Sequence, residues 1–466
     1  MAAAATASTG GTGKNTPDDF SAEQSAIAQA RQDRAAQMAG AGLEARQATA
    51  ALGNRDFIVK QSVPPRRYVY GETRIGGAVF FEDNENPWLL IGVALSDGEI
   101  DAVTGAYFGA EAVPLTAGVA NSLSRWAGKF KMETTLGTSG QAASAEILAK
   151  FPALGANFRQ RGVARAVFSL AWGENAQEHS TVWGGDLSPA VSMRGVKVFD
   201  TRDGAQSVGT PSTWLFSKCP PLQVAHAITH VWGAPVDTAA VDYPSIAAAA
   251  NICDTASTTT TATPFTLFTS AGEFKSGGDY GAQITDMLTA FGGSLYMSGG
   301  KYIIKADQPE ASIFTVTDDD ILGVSSYQHE GRRRDTPTSI KARYYDTAGG
   351  TEALTVTVEN AAAVAAEGLR EKVIDLPFTD NALSAQVLAY RALVNARAGR
   401  RLSVVLTDVA MFFEPTERIT VASASFPVIN GEWRVSQFDV QPVGVLVQLV
   451  QYDASAYANP NTYVIG

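Results

Sequence analysis

Two prolines in tandem, Pro64 and Pro65, separate the apolar run "DFIVKQSV" from "RRYVYGETRIGGAVFFED". Neither can donate to a strand ladder, so no central strand runs through them and the chain must turn a corner there. Gly76 and Gly77 then let the next strand bend or bulge as it re-enters a sheet. "WLLIGVALS" and "EIDAVTGAYFG" follow as two more short strands. Tight corners between short strands describe a barrel-like β-region. Arg66, Arg67 and Arg74 stay near its edge, as solvated corner residues.

Further along, Ala166, Phe168, Leu170 and Trp172 alternate with Arg165, Val167 and Ser169, the period of a half-buried strand. "MRGVKVFDTRDG" predicts another strand closing in a turn. From about residue 210 to 295 the pattern turns helical, in "TWLFSKCPPLQVAHAITHVWG", "YPSIAAAANICD" and "GAQITDMLTAFGG". In the last of these Ile284, Leu288 and Phe291 recur at helical spacing and Gly292 supplies a stop. "TASTTTTATP" predicts an exposed loop, and "SLYMSGGKYIIKAD" a hairpin turning at Gly299 and Gly300. Strands return after about 310, interrupted by a helix over "NALSAQVLAYRALVNARAG". There Leu383, Val387 and Val394 line one face, and Arg391, Arg397 and Arg400 gather where the helix dipole favours cations.

The expected organisation is an Ala-rich, partly helical arm (1–54), a first β-rich domain (55–205), a mixed helix and hairpin domain (206–310) and a second β-rich domain with one helix (311–466). The arm's helix has Ser21 as cap with Gln24 three residues on, and Ile27 and Met38 on an otherwise alanine face. So thin a face predicts that the arm orders only against a partner. With 466 residues, 45% apolar and 18% charged, the chain has material for real cores. No apolar run reaches the roughly 18 residues of a membrane helix, and the start has no basic n-region, so neither a span nor a signal peptide is expected. Cys219 and Cys253 are too few for a disulfide framework. A net charge of −11 argues against a large surface made to grip nucleic acid.

Candidate chemistry is sparse. His226 and His230 have the spacing of two ligands on one helix, but Ala227, Ile228 and Thr229 between them lack the HExxH glutamate, so packing is expected. Ser298 and Lys301 match SxxK on a hairpin turn rather than a helix start. "GGTGKN" lacks the glycine spacing and the Ser or Thr of a phosphate loop. Asp318, Asp319 and Asp320 lack the alternate spacing of a calcium loop and predict a solvated turn. Arg332, Arg333 and Arg334 in "EGRRRD" could meet a phosphate or carboxylate. No catalytic set, metal site or cofactor is expected.

"VPPRRYVYGETRIGGAVFFED" followed by "LLIGVALSDGEIDAVTGAYFG" resembles the start of the central region of the tail tip attachment protein J family of lambda-like siphophages. "RGVARAVFSLAW", "RGVKVFD", "ITDMLTAFGGSLYMSGGKYIIKAD", "VTDDDILG" and "LPFTDNALSAQVLAYRAL" resemble that family's later segments in the same order, over about residues 57–450. The resemblance implies a β-rich α+β chain in which two tube-like β-barrel domains flank a mixed α/β region, assembled as a trimeric hub. It implies a non-enzymatic virion protein of the tail tip, assembled in the host cytoplasm. Such a hub closes the tail tube, converts six-fold tube to three-fold tip, and anchors a distal tail protein or tube ring and other tip or fibre proteins. DNA would only pass through its channel, past a formal −33 from three chains of −11. Arg66, Arg67 and Arg74 would then be candidates for contacts between rings. The alternatives are a host receptor-binding tip protein and a tail-associated glycan or peptidoglycan hydrolase.

Overall fold

A computed structural model describes residues 58–458, except 62, 110, 122–123, 172–181, 184–188, 233–235, 259–262, 332–335 and 346–352. The N-terminal arm, Trp172 and the arginines at 332–334 lie outside the described residues. The architecture is β-rich α+β.

Two sheets build the first β-region. One runs Ala78–Glu85, Trp88–Asp97, Val163–Ala171, Phe130–Leu136, Val119–Ala120, Leu115–Thr116; the other runs Leu215–Phe216, Pro189–Val198, Ile100–Phe108, Glu111–Val113, with Glu72–Ile75 also paired to Pro189–Val198. Past the Pro64-Pro65 corner, Arg67–Tyr70 pairs antiparallel with Gly272–Lys275, so the corner delivers the chain to the mixed region. Gly77 bends the entry into Ala78–Glu85 at φ +81°, and the pairing with Trp88–Asp97 shifts register between Val79 and Phe81. A Cβ at Gly77 would stand 2.8 Å from the Ala94 carbonyl oxygen, which adds a steric reason for glycine there.

Val163–Ala171 departs from the expected half-buried strand, because it is buried on both faces along nearly its whole length. It lies between two long strands, with Ala166, Phe168 and Leu170 in the main core. The short helix Ala145–Lys150 covers its other face, where Val167 packs with Leu90, Ile147 and the rings of Phe80, Phe81, Phe151 and Phe158. Arg165 is buried too, and its guanidinium donates to the carbonyls of Arg159 at 2.9 Å and Ala142 at 2.7 Å.

Helices Pro220–His230, Tyr243–Cys253 and Tyr280–Thr289 form the mixed region, followed by the hairpin Ser294–Ser298 and Lys301–Lys305, which turns at Gly299 and Gly300 as expected. The three-stranded sheet Ala353–Glu359, Ser339–Tyr345, Glu371–Leu376 and the helix Ala382–Ala398 continue the same core. That helix buries Ala385, Val387, Leu388, Ala389 and Leu393, a face shifted from the one expected, since Leu383 and Val394 are only half-buried. Arg391 lies within it, its Nη1 donating to the Asp307 carbonyl at 2.7 Å and its guanidinium over Phe268 and Tyr457. A second core belongs to the sheet Thr315–Val316, Arg418–Val421, Gly431–Val440, Val445–Gln451, Arg401–Leu406, Ile321–Gln328. Its apolar residues, Trp433 at the centre, are drawn from outside the first core.

A close backbone approach joins Pro189–Val198 to the strand that follows the Pro-Pro corner. The Gly195 amide donates to Gly71 O at 2.8 Å, and a Cβ at Gly195 would fall 2.1 Å from Val69 O and 2.7 Å from its carbonyl carbon. Both are main-chain atoms that cannot swing aside. Gly195→Ala is expected to destabilise the first core by about 1–3 kcal/mol, the range for forced overpacking. Denaturant titration checks this, and an unchanged midpoint would contradict so close a crossing.

Candidate functional site

The three arginines of the opening stretch have three different surroundings. Arg66 leaves 64% of its side chain exposed while its Nε donates to Asp97 Oδ2 at 2.6 Å. Asp97 also accepts from Trp232 Nε1 at 2.8 Å, and the Arg66 guanidinium lies 5.9 Å from the Trp232 ring centroid. Arg67 is buried against Glu273, Nη1 to Oε2 3.2 Å, because the antiparallel register sets Arg67 opposite Lys275 and diagonal to Glu273. Arg74 is buried with its guanidinium 4.1 Å from the centroid of Tyr107, on the strand that shares Pro189–Val198 as a neighbour. Of the three, Arg66 alone keeps a large exposed surface.

The histidine pair is packed. His226 and His230 stack with ring centroids 5.2 Å apart, and the Trp214 edge meets both. The Tyr70 hydroxyl shares a 2.8 Å hydrogen bond with His226 Nδ1. Burial, then the neighbouring His230, holds the His226 pKa down to about 3, and burial lowers that of His230. Two neutral imidazoles in an aromatic pocket follow. Cys219 and Cys253 are buried free thiols, and burial pushes Cys253 well up, then its neighbour Cys219 adds to this, the opposite of an activated thiolate.

The remaining motifs are likewise occupied by structure. Ser298 donates to Glu414 Oε1 at 2.9 Å, and Tyr296 to Glu414 Oε2 at 2.9 Å, tying the hairpin to the second core. Asp318 accepts from the Ser423 hydroxyl and from the amides of Ala424 and Ser425, both at 3.1 Å; the Ser423 hydrogen bond is the main cause of its lowered pKa. Asp320 accepts from the amide and hydroxyl of Thr317, at 2.8 and 2.9 Å. The acid run thus organises a turn. Among the described residues no three His, Cys, Asp or Glu side chains are grouped to hold a metal, and no helix is long and apolar enough to cross a membrane.

No local sequence pattern marks the cleft of about 710 Å³ at the end of the Ala382–Ala398 helix, lined among others by Lys372, Arg400, Arg401 and Arg434. The adjacent Arg400 and Arg401 come nearest to a signal, and helix-dipole complementarity accounts for the first of them.

Residues 281–438 match the family described as "Putative phage tail protein". The fold is similar to that of a chain in the structure "Virion of native gene transfer agent (GTA) particle", with TM-score 0.60 and 14% identity over 88% of this chain and 89% of that one. Two further structures align: the prophage MuSo2 43 kDa tail protein from Shewanella oneidensis (TM-score 0.30, 10% identity, 85% of this chain and 100% of that one) and the prophage tail protein gp18 from Listeria monocytogenes EGD-e (TM-score 0.27, 11% identity, 88% and 95%). Curated protein sequences gave no match.

Proposed function

We propose that this chain is a structural protein of a phage-type virion tail, and within it the central hub of the tail tip. The observation that carries the reading is the tail-protein match over residues 281–438, which takes in the last helix and the hairpin of the mixed region, the three-stranded sheet, the Ala382–Ala398 helix and most of the second β-core. The fold likeness to a chain of a virion particle extends over most of the molecule and supports the same class. Two separate β-cores in one chain suit a hub in which three chains offer six tube-like units to a six-fold tube. The partners in this reading are two further copies, a distal tail protein or tube ring, and other tip or fibre proteins, with DNA only in transit. Arg66 is the arginine best placed for a contact between rings. Arg67 and Arg74 would serve that contact indirectly, by fixing the corner that presents it.

The reading is non-enzymatic. The hydrolase alternative would need a pair of free acids, whereas Asp318 and Asp320 are engaged in their own turn. Receptor binding remains the alternative with a distinct outcome. Light scattering of the purified protein is expected to give about 147 kDa, three times the 49.1 kDa chain, and negative-stain images a three-fold ring. A monomer that adsorbs to host cells by itself would overturn the hub in favour of a receptor-binding protein.

A further inference from the structure

The 710 Å³ cleft joins the two cores and carries an unbalanced charge. One wall is the end of the Ala382–Ala398 helix, with Asn395, and its left-handed cap Gly399; another is Lys372 on Glu371–Leu376; the floor comes from Arg401, Gln328, Val450 and Gln451 of the second sheet. Among the described residues no Asp or Glu belongs to the lining. Arg434 is matched by Asp307, at 3.2 Å from its Nη1. Among the described residues Arg400 has no carboxylate partner: its Nε donates to the Tyr327 hydroxyl at 3.0 Å, its Nη2 to Val428 O at 2.8 Å, and its plane lies over Tyr327 and Trp433. Lys372 and Arg401 are exposed, and neither has an ion-pair partner among the described residues.

Three cations therefore share one cleft of a chain whose net charge is −11. The helix C-terminus beside them offsets only about half a charge. Like charges held together repel, and an anion entering the cleft relieves that repulsion while two guanidinium forks give it directional hydrogen bonds. We propose that this cleft is a docking site for an acidic polypeptide segment of a neighbouring protein. The size fits several residues rather than a single small ion, since clefts of about 300–1,000 Å³ enclose drug-sized ligands. Amides point the same way. Gln451 Oε1 is buried without a hydrogen-bond partner among the described residues, and turning that amide into the cleft would satisfy it with a peptide N–H, a donor that a phosphodiester lacks. This argument is independent of the hub assignment, because it uses only the charge and shape of the cleft.

The test uses the full chain and a fluorescently labelled hexaglutamate peptide, followed by anisotropy, with hexaglutamine and a single-stranded oligonucleotide as competing probes. Hexaglutamate is expected to bind, with affinity falling between about 50 and 300 mM salt. Lys372→Gln combined with Arg401→Gln should weaken it about tenfold. Both residues are exposed, so folding should survive, and circular dichroism would verify this. Lys301→Glu, on the hairpin turn outside the cleft, should weaken binding far less. Equal binding of hexaglutamine, tighter binding of the oligonucleotide, or an affinity unmoved by the double substitution would each overturn the proposal. The oligomeric mass, which tests the hub, is a separate readout.

Discussion

Glu273→Ala is expected to cost the first core about 3–5 kcal/mol, the range for breaking a buried ion pair from one side. Glu273 and Arg67 keep only 2% and 5% of their side chains exposed, and their contact joins the Pro-Pro corner to Gly272–Lys275 across more than two hundred residues. Removing the carboxylate strands a guanidinium whose Nε is already buried without a partner among the described residues. Water cannot reach it without opening the strand pair. Lys275, also 3.2 Å from Glu273 Oε2, cannot compensate, because it would add repulsion once the acid is gone. Replacing both partners, Arg67→Met with Glu273→Leu, should recover most of the loss, since an apolar pair has no charge to desolvate. Denaturant midpoints of the two variants decide the matter. A single variant within about 1 kcal/mol of the parent protein would mean that the pair is solvated after all.

The same pair shows where the sequence stops being informative. Arg66, Arg67 and Arg74 look alike in "RRYVYGETR", and an edge position accounts for all three. Only Arg66 has a largely exposed side chain, because what buries Arg67 is a strand far along the chain that no local pattern announces. Elements whose signals are local were legible: the Gly299-Gly300 hairpin, the helix around Ile284 that stops before Gly292, and the packed histidines with no acid between them. Val163–Ala171 is buried on both faces although period 2 reports only one, because the cover of the other face comes from Ala145–Lys150. The Ala382–Ala398 helix was read on its large residues, whereas alanines form much of its buried stripe and let the neighbouring sheet approach. The basic cleft was hidden for the same reason as the ion pair. Lys372, Arg400 and Arg401 are brought together by the meeting of two cores, and nothing in their spacing encodes that meeting.

Trp433→Ala is expected to remove about 3–5 kcal/mol from the second core, the cost of deleting a large buried aromatic and leaving its cavity. Trp433 is fully buried at the middle of the sheet, between Arg418–Val421 and Val445–Gln451, with Nε1 donating to Ile429 O at 2.9 Å and Arg400 over its ring. The loss should stay local. Named links between the cores are polar, among them the Glu414 hydrogen bonds from Tyr296 and Ser298, the Lys305 pairs with Glu414 and Glu417, and the Asp307 pair with Arg434. Partly exposed polar links of this kind transmit little of one core's stability to the other. Calorimetry should therefore resolve two transitions, of which the substitution lowers one by on the order of 10 °C and leaves the other in place. A single transition moving as a whole would mean that the cores fold as one unit. In that case the idea that each chain offers two separable tube-like modules loses its physical basis, because a module that cannot fold apart from its neighbour has no independent seat in a ring.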